Sequence, residues 1–191
     1  TINALTYHEH PTQAIADLCA LREHFGKTED LQLAYLGEVN NTARSLALLV
    51  STLPFKRLDV YSPAGTGFTA EEIQSLNAIR GGEAVRQHHH VPDSPEPVDA
   101  VYTTRWQSMG EPRKEPDWLS QFAPFAVTKE LMDRFSGSTE AVFMHDLPAV
   151  RDQEATSDVL DGKGTTSLVA RQAFHKASAA AAALLWSMET S

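Results

Sequence analysis

Along this chain, short continuous apolar runs alternate with stretches whose apolar residues recur every three or four positions. Residues 31–36, 58–61, 98–103 and 141–144 are runs of the first kind, bounded by turn residues, as interior parallel strands are. Residues 83–87 read as an edge strand. Helical stretches lie between. His10-Pro11-Thr12-Gln13 opens the first, since proline at a first turn sacrifices only an N–H that would be unpaired there anyway. Ile15, Leu18, Cys19, Leu21 and Phe25 form its apolar face, and Gly26 ends it. The stretch from Asn41 to Leu53 is the next helix, with Leu46, Leu49, Val50 and Leu53 inward and Pro54 closing it. Thr69 caps a third, with Glu71 and Glu72 in its first turn and Gly81-Gly82 at its end. Short helices are expected over 116–122 and 128–135, and a long one from about Ala170 to Met188. This alternation predicts an α/β, Rossmann-like, doubly wound, mostly parallel sheet with helices on both faces and right-handed crossovers.

Polar loops follow three of the predicted strands: Gly37-Glu38-Val39-Asn40-Asn41, Thr104-Arg105-Trp106-Gln107-Ser108-Met109-Gly110, and His145-Asp146-Leu147-Pro148-Ala149. In open α/β sheets ligands bind at the carboxyl ends of strands. Taken singly, Asn40-Asn41 and Ser108-Met109-Gly110 are ordinary turn sequences, and His145-Asp146 is a loop-fixing pair. Their placement after three strands is what makes a shared crevice the better reading. His10 and Gln13 stand one helical turn apart at a helix start, where free amides and the positive dipole end also lie. An imidazole N–H and a carboxamide oxygen together suit a small planar amide: one donates to its carbonyl and the other accepts from its NH₂. A helix cap with a surface histidine is the plainer alternative.

Other candidates are weaker. No GxGxxG follows the first strand, and Gly37 stands alone, so a dinucleotide site is poorly supported. His88-His89-His90 would point alternately to opposite faces of an extended chain and has no spaced cysteine or carboxylate partner, so no metal site is expected. Asp117-Trp118 and Trp186 read as packing residues.

Composition narrows the picture further. With 191 residues, 42% of them hydrophobic, the chain can bury a sizeable core. A formal net charge of −9 argues against a general nucleic-acid binder. A single cysteine, Cys19, rules out an internal disulfide and favours an intracellular, cytoplasmic setting. No apolar run reaches membrane-spanning length and no signal peptide is recognisable, so no membrane partner is expected. The chain begins with Thr1 rather than Met, which reads as a fragment or a chain whose first part is missing.

In combination and order, Ile2-Asn3-Ala4-Leu5-Thr6, His10-Pro11-Thr12-Gln13 with Ala16-Asp17-Leu18, Gly37-Glu38-Val39-Asn40-Asn41, Trp106-Gln107-Ser108-Met109-Gly110 and His145-Asp146-Leu147-Pro148-Ala149 resemble the ornithine and aspartate carbamoyltransferases. The resemblance spans nearly all of residues 1–191, is to the second, amino-acid-binding domain, and is closer to the ornithine branch. It implies transfer of the carbamoyl group of carbamoyl phosphate to an amine, with no metal or organic cofactor. By that resemblance His10 and Gln13 contact the carbamoyl group, His10 stabilises the developing oxyanion, and the Leu147 carbonyl holds the carbamoyl nitrogen. Asn41, Ser108 and Met109 line the acceptor pocket. The family's carbamoyl-phosphate-binding domain, with its Ser-x-Arg-Thr type loop, would be absent from this chain; it builds most of a homotrimer in which a neighbouring subunit completes each site.

The departures carry their own implications. The ornithine enzymes have Cys where this chain has Asp146, an acid where it has Thr104 followed by Arg105, and an Asn-Arg pair where it has His175-Lys176. Lys176 supplies charge toward carbamoyl phosphate without a bidentate fork. Loss of the acid at Thr104 removes the counter-charge for an α-ammonium, and Arg105 adds a partner for an anion. An amine acceptor that meets Asp146 and is not ordinary ornithine follows, as enzymes of specialised metabolism would use. A non-catalytic homologue or binding subunit with a drifted site is the alternative.

Overall fold

A computed structural model describes residues 2–107 and 117–189. Its strands are β1 (Gln32–Leu36), β2 (Arg57–Tyr61), β3 (Val85–His88), β4 (Ala100–Thr103) and β5 (Val142–His145). They form one sheet in the order β3-β2-β1-β4-β5, and every neighbouring pair is parallel. The helices are α1 (Pro11–Phe25), α2 (Asn41–Thr52), α3 (Ala70–Arg80), α4 (Trp118–Phe122), α5 (Lys129–Phe135), α6 (Ser157–Leu160) and α7 (Val169–Glu189).

Period-2 alternation within the buried strands sends side chains into two cores. Leu33, Tyr35, Leu58, Val60, Tyr102 and Met144 meet Leu21 of α1, Leu46 and Val50 of α2, and the flank of α3. Ala34, Leu36, Val101 and Phe143 meet Leu131, Met132 and Phe135 of α5 and Val159 of α6. Helices therefore cover both faces, as the alternation of elements predicts. The helix ends follow the sequence signals. Thr69 and Glu72 form a reciprocal capping box, and Gly26 and Gly81 close α1 and α3 at φ 75° and 70°, where a side chain would be strained.

Three expectations need correction. The inward face of α1 is Gln13, Ala14, Ala16, Asp17, Ala20 and Leu21, whereas Ile15 is exposed. The cause is α7, which packs along α1 and meets its polar strip: Gln172 donates to Asp17 at 2.8 Å. Trp186 is 67% exposed, and α7 buries only Gln172 and Ala179, so Trp186 is no core residue. Trp118 does pack, edge-on to Phe122. The third correction is α6, a single turn that the sequence pattern did not announce.

In this strand order the crossovers leave β1 toward β2 and β4 toward β5, on opposite sides of the sheet. The neighbouring carboxyl ends of β1 and β4 are thus the topological switch point, where such sheets leave a crevice.

Candidate active site

A cleft of about 530 Å³ opens at that switch point. The loops after β1, β4 and β5 and the start of α1 all contribute to it, through Asn40, Asn41, Thr104, Arg105, Asp146, Leu147 and His10. The convergence of three polar loops expected from the sequence is realised. His10 and Asp146, 136 positions apart in number, line the same wall of the molecule.

Asp146 is the first residue past β5, and two hydroxyls hold it. Thr42 Oγ1, on the first turn of α2, donates to its Oδ2 at 2.7 Å. Thr104 Oγ1, the first residue past β4, lies 3.1 Å from both carboxylate oxygens and donates to them. Thr104 in turn accepts from Asn40 Nδ2 at 3.0 Å. Asn40 is the N-cap of α2, and its Oδ1 accepts from the Ala43 N–H. A helix cap thus orients the hydroxyl that orients the carboxylate. Lys176 of α7 donates to the Asp146 backbone carbonyl at 3.0 Å and pins the loop from behind.

His10 is the N-cap residue of α1. Burial, and next the nearby Lys176 charge, lower its pKa, so the ring is neutral at pH 7. Its Nδ1 lies 3.2 Å from the Ala4 carbonyl, which can only accept, so Nδ1 carries the proton and Nε2 presents a lone pair. Polarising a carbonyl through Nε2 therefore requires a second proton on the ring or release of the Ala4 contact.

Gln13 is fully buried behind the cleft rather than on its surface. Its Nε2 donates to Asp17 at 2.8 Å, while its Oε1 is buried with no partner among the described residues. Such an orphaned acceptor is uncommon in a folded interior and fits a group that meets a ligand donor. Asp17 also accepts from Gln172 Nε2 at 2.8 Å and Tyr102 OH at 3.1 Å. Burial pushes the Asp17 pKa up to about 7, against the pull of those donors. Gln172 passes the connection on, its Oε1 accepting from the His145 N–H at 2.9 Å. The His145 ring accepts from the Leu147 N–H at Nδ1 and donates from Nε2 to Glu154 at 3.2 Å, which assigns the neutral Nε2–H tautomer. Leu147 is thereby held at φ 54°, a left-handed conformation a leucine adopts only when its surroundings impose it.

The sequence reading singled out His10, Gln13, Asn41, Thr104, Arg105, Asp146, Leu147 and Lys176; the cleft gathers all but Gln13, which is fully buried against Asp17, and Lys176, which holds the Asp146 carbonyl. Asn41 donates to the Thr6 carbonyl at 2.8 Å and so ties the segment before α1 to the rim. Ser108 and Met109 lie outside the described residues. Thr42, Asp17, Gln172 and Glu154 were not anticipated as site residues, and Asn40 was read only as part of the Asn40-Asn41 loop. Asp17 alone had a signal, as a carboxylate one turn beyond Gln13 on the same helix. Among the described residues no cluster of His, Cys, Asp or Glu is placed to hold a metal ion. His88 is instead bound to Asp59 at 3.1 Å and His89 to the Ser62 carbonyl at 3.2 Å.

A parallel sheet of this order, with a cleft at its switch point walled by an imidazole, a carboxylate and a guanidinium, is a Rossmann-like α/β fold. Residues 29–188 match the family described as aspartate/ornithine carbamoyltransferase, Asp/Orn binding domain, and the chain belongs to that family. It is 39% identical over 189 residues to an ornithine carbamoyltransferase of Methanothermobacter thermautotrophicus, covering 98% of this chain and 61% of that protein. It is 38% identical over 187 residues to one of Shewanella oneidensis, covering 96% and 60%. The solved ornithine carbamoyltransferase of Gloeobacter violaceus superposes with a TM-score of 0.78 at 31% identity, over 96% of this chain and 61% of that one. The chain thus spans about three-fifths of the length of these relatives.

Proposed function

We propose that this chain is the acceptor-binding part of a carbamoyltransferase that moves the carbamoyl group of carbamoyl phosphate onto an amine seated against Asp146. The observation that carries the reading is the meeting of His10 and Asp146 on one cleft, with the unpartnered Gln13 oxygen behind it. In this reaction the amine nitrogen bonds to the carbamoyl carbon, the C–O bond to phosphate breaks, and the amine's proton leaves with inorganic phosphate. Asp146 orients the amine and is its first proton acceptor. Gln13 Oε1 and the Leu147 carbonyl accept from the carbamoyl NH₂, and His10, when its Nε2 is protonated, donates to the carbamoyl oxygen. Lys176 adds positive charge near the phosphate side. Ornithine is disfavoured as the acceptor, because Thr104 offers an ammonium no counter-charge.

The phosphate contacts come, in this proposal, from a further domain, and the working assembly is a homotrimer in the cytoplasm. No helix among the described residues is long and apolar enough to cross a membrane. The test is phosphate release by the full-length protein supplied with carbamoyl phosphate and a panel of amines. Release that depends on one class of amine supports transfer. Silence with every amine would favour the second reading, a homologue that binds without catalysing, for which Thr104, Asp146 and Lys176 in place of the family's residues are the argument.

A further inference from the structure

We infer that the acceptor is a monoamine carrying an anionic group, such as an ω-amino acid, and that Thr104, Arg105 and Asp146 together select it. The inference rests on the carbamoyl-transfer reading and names the substrate class of the same cleft. It follows from counting what each polar group there has left to offer.

An ionised carboxylate presents about four lone-pair sites. Those of Asp146 already receive one hydrogen from Thr42 and one from Thr104, the latter shared between both oxygens, leaving two places that the N–H groups of a single amine can fill. One amine fits there and a second does not. Thr104 cannot hold a second ammonium either: its one hydroxyl hydrogen is turned to Asp146, and its oxygen already accepts from Asn40. Thr104 itself therefore supplies no negative charge for a second ammonium, and the Asp146 carboxylate beside it is taken by the first.

On the cationic side, Arg44 lines the cleft but is committed to Glu72 and lies over the Phe68 ring. Arg105 differs. It lines the cleft, and its Nε is buried with no partner among the described residues. An unpaired buried guanidinium N–H is costly, and a carboxylate or similar anion is the group that satisfies it best, through charge-assisted hydrogen bonds. Arg105 and Asp146 thus mark the two poles of one ligand: an anion at the β4 loop and an amine at the β5 loop.

The experiment uses the full-length protein with carbamoyl phosphate and five acceptors: 5-aminopentanoate, β-alanine, ornithine, 1,4-diaminobutane and pentylamine. The expected result is that an ω-amino acid has the highest kcat/KM. Arg105→Gln should raise its KM about tenfold or more and lower its kcat less, and should raise the KM of pentylamine, which has no anion, by a much smaller factor. Arg105→Lys, which keeps the charge and packing stem, should fall between. Thr104→Asp should shift preference toward ornithine. Best use of ornithine or the diamine by the unaltered protein, or indifference of the ω-amino acid KM to Arg105→Gln, overturns the inference while leaving carbamoyl transfer standing. If no amine releases phosphate, the transfer reading fails. Calorimetry with pentanoate then judges the anion site by itself: binding weakened in Arg105→Gln upholds it, and absent or unchanged binding overturns it.

Discussion

The two sides of the cleft are built differently. On one, Gln13, Asp17, Gln172, His145 and Glu154 are almost wholly buried, and each polar group leans on the next. On the other, Asn41, Thr104 and Asp146 are held by hydroxyl and amide contacts along the cleft, Thr104 buried and Asp146 partly so, and Arg105 lines it with its Nε unpartnered among the described residues. A change in the first set strands a buried donor or acceptor, and the cost falls on folding. A change in the second alters what the cleft can bind and costs the fold little. Of the departures from the resemblance, Thr104, Arg105 and Asp146 sit on the second side, while Lys176 reaches the Asp146 carbonyl from α7. The lesson is that the two sides can diverge independently, because only the first is buried throughout.

Substitutions can break or sharpen that contrast. The largest effect belongs to Asp146→Asn. It should lower kcat by about 10²- to 10⁴-fold, the usual worth of a positioned acid–base group, with little change in melting temperature. A matching fall in stability would show Asp146 to be structural. Next comes Asp17→Ala, which leaves three donors facing an empty site and should cost about 3–5 kcal/mol of unfolding free energy in a denaturant titration.

The isosteric Asp17→Asn tests the same residue through pH. The folded Asp17 pKa stands near 7 against an ordinary 3.8. Between those values the folded chain keeps a proton that the unfolded chain has released. The stability owed to this group is complete below about pH 4 and is lost as pH rises through about 7. The Asn variant should flatten that slope in melting curves taken across this range; an unchanged slope would remove Asp17 as its source.

Thr42→Val removes one donor to Asp146 and should lower kcat/KM about tenfold, again without unfolding the chain. The smallest effect is expected at the solvent-facing contact of Glu23 with Arg171 and His175. Glu23→Gln should leave both melting temperature and activity unmoved, since exposed ion pairs contribute little.

Much of this arrangement was legible in the sequence, and the reason lies in locality. The β4 and β5 runs, the Thr69 capping box and the Gly26 stop are signals confined to a few residues. So are the polar loops that follow the strands, which is why Thr104, Arg105 and Asp146 could be named. What escaped was non-local. Glu154 and Gln172 reach His145 from 9 and 27 positions away, and nothing in either segment marks it as a partner. The face of α1 was misread because apolar periodicity cannot anticipate that α7 will bury Gln13 and Asp17 in place of Ile15. Trp186 was read as a packing residue because it is a large aromatic, and α7 leaves it 67% exposed.

The account's central claim is that the buried carboxamide side and the cleft-lining carboxylate side serve one bound pair of reactants. A structure of the full-length protein with carbamoyl phosphate and pentanoate, an acceptor mimic without the amine, tests it most directly. The account expects the carbamoyl nitrogen within about 3.2 Å of Gln13 Oε1 and the pentanoate carboxylate on Arg105, with the alkyl chain ending beside Asp146. Carbamoyl phosphate bound away from Gln13, or pentanoate lying outside the cleft between His10 and Asp146, would contradict it.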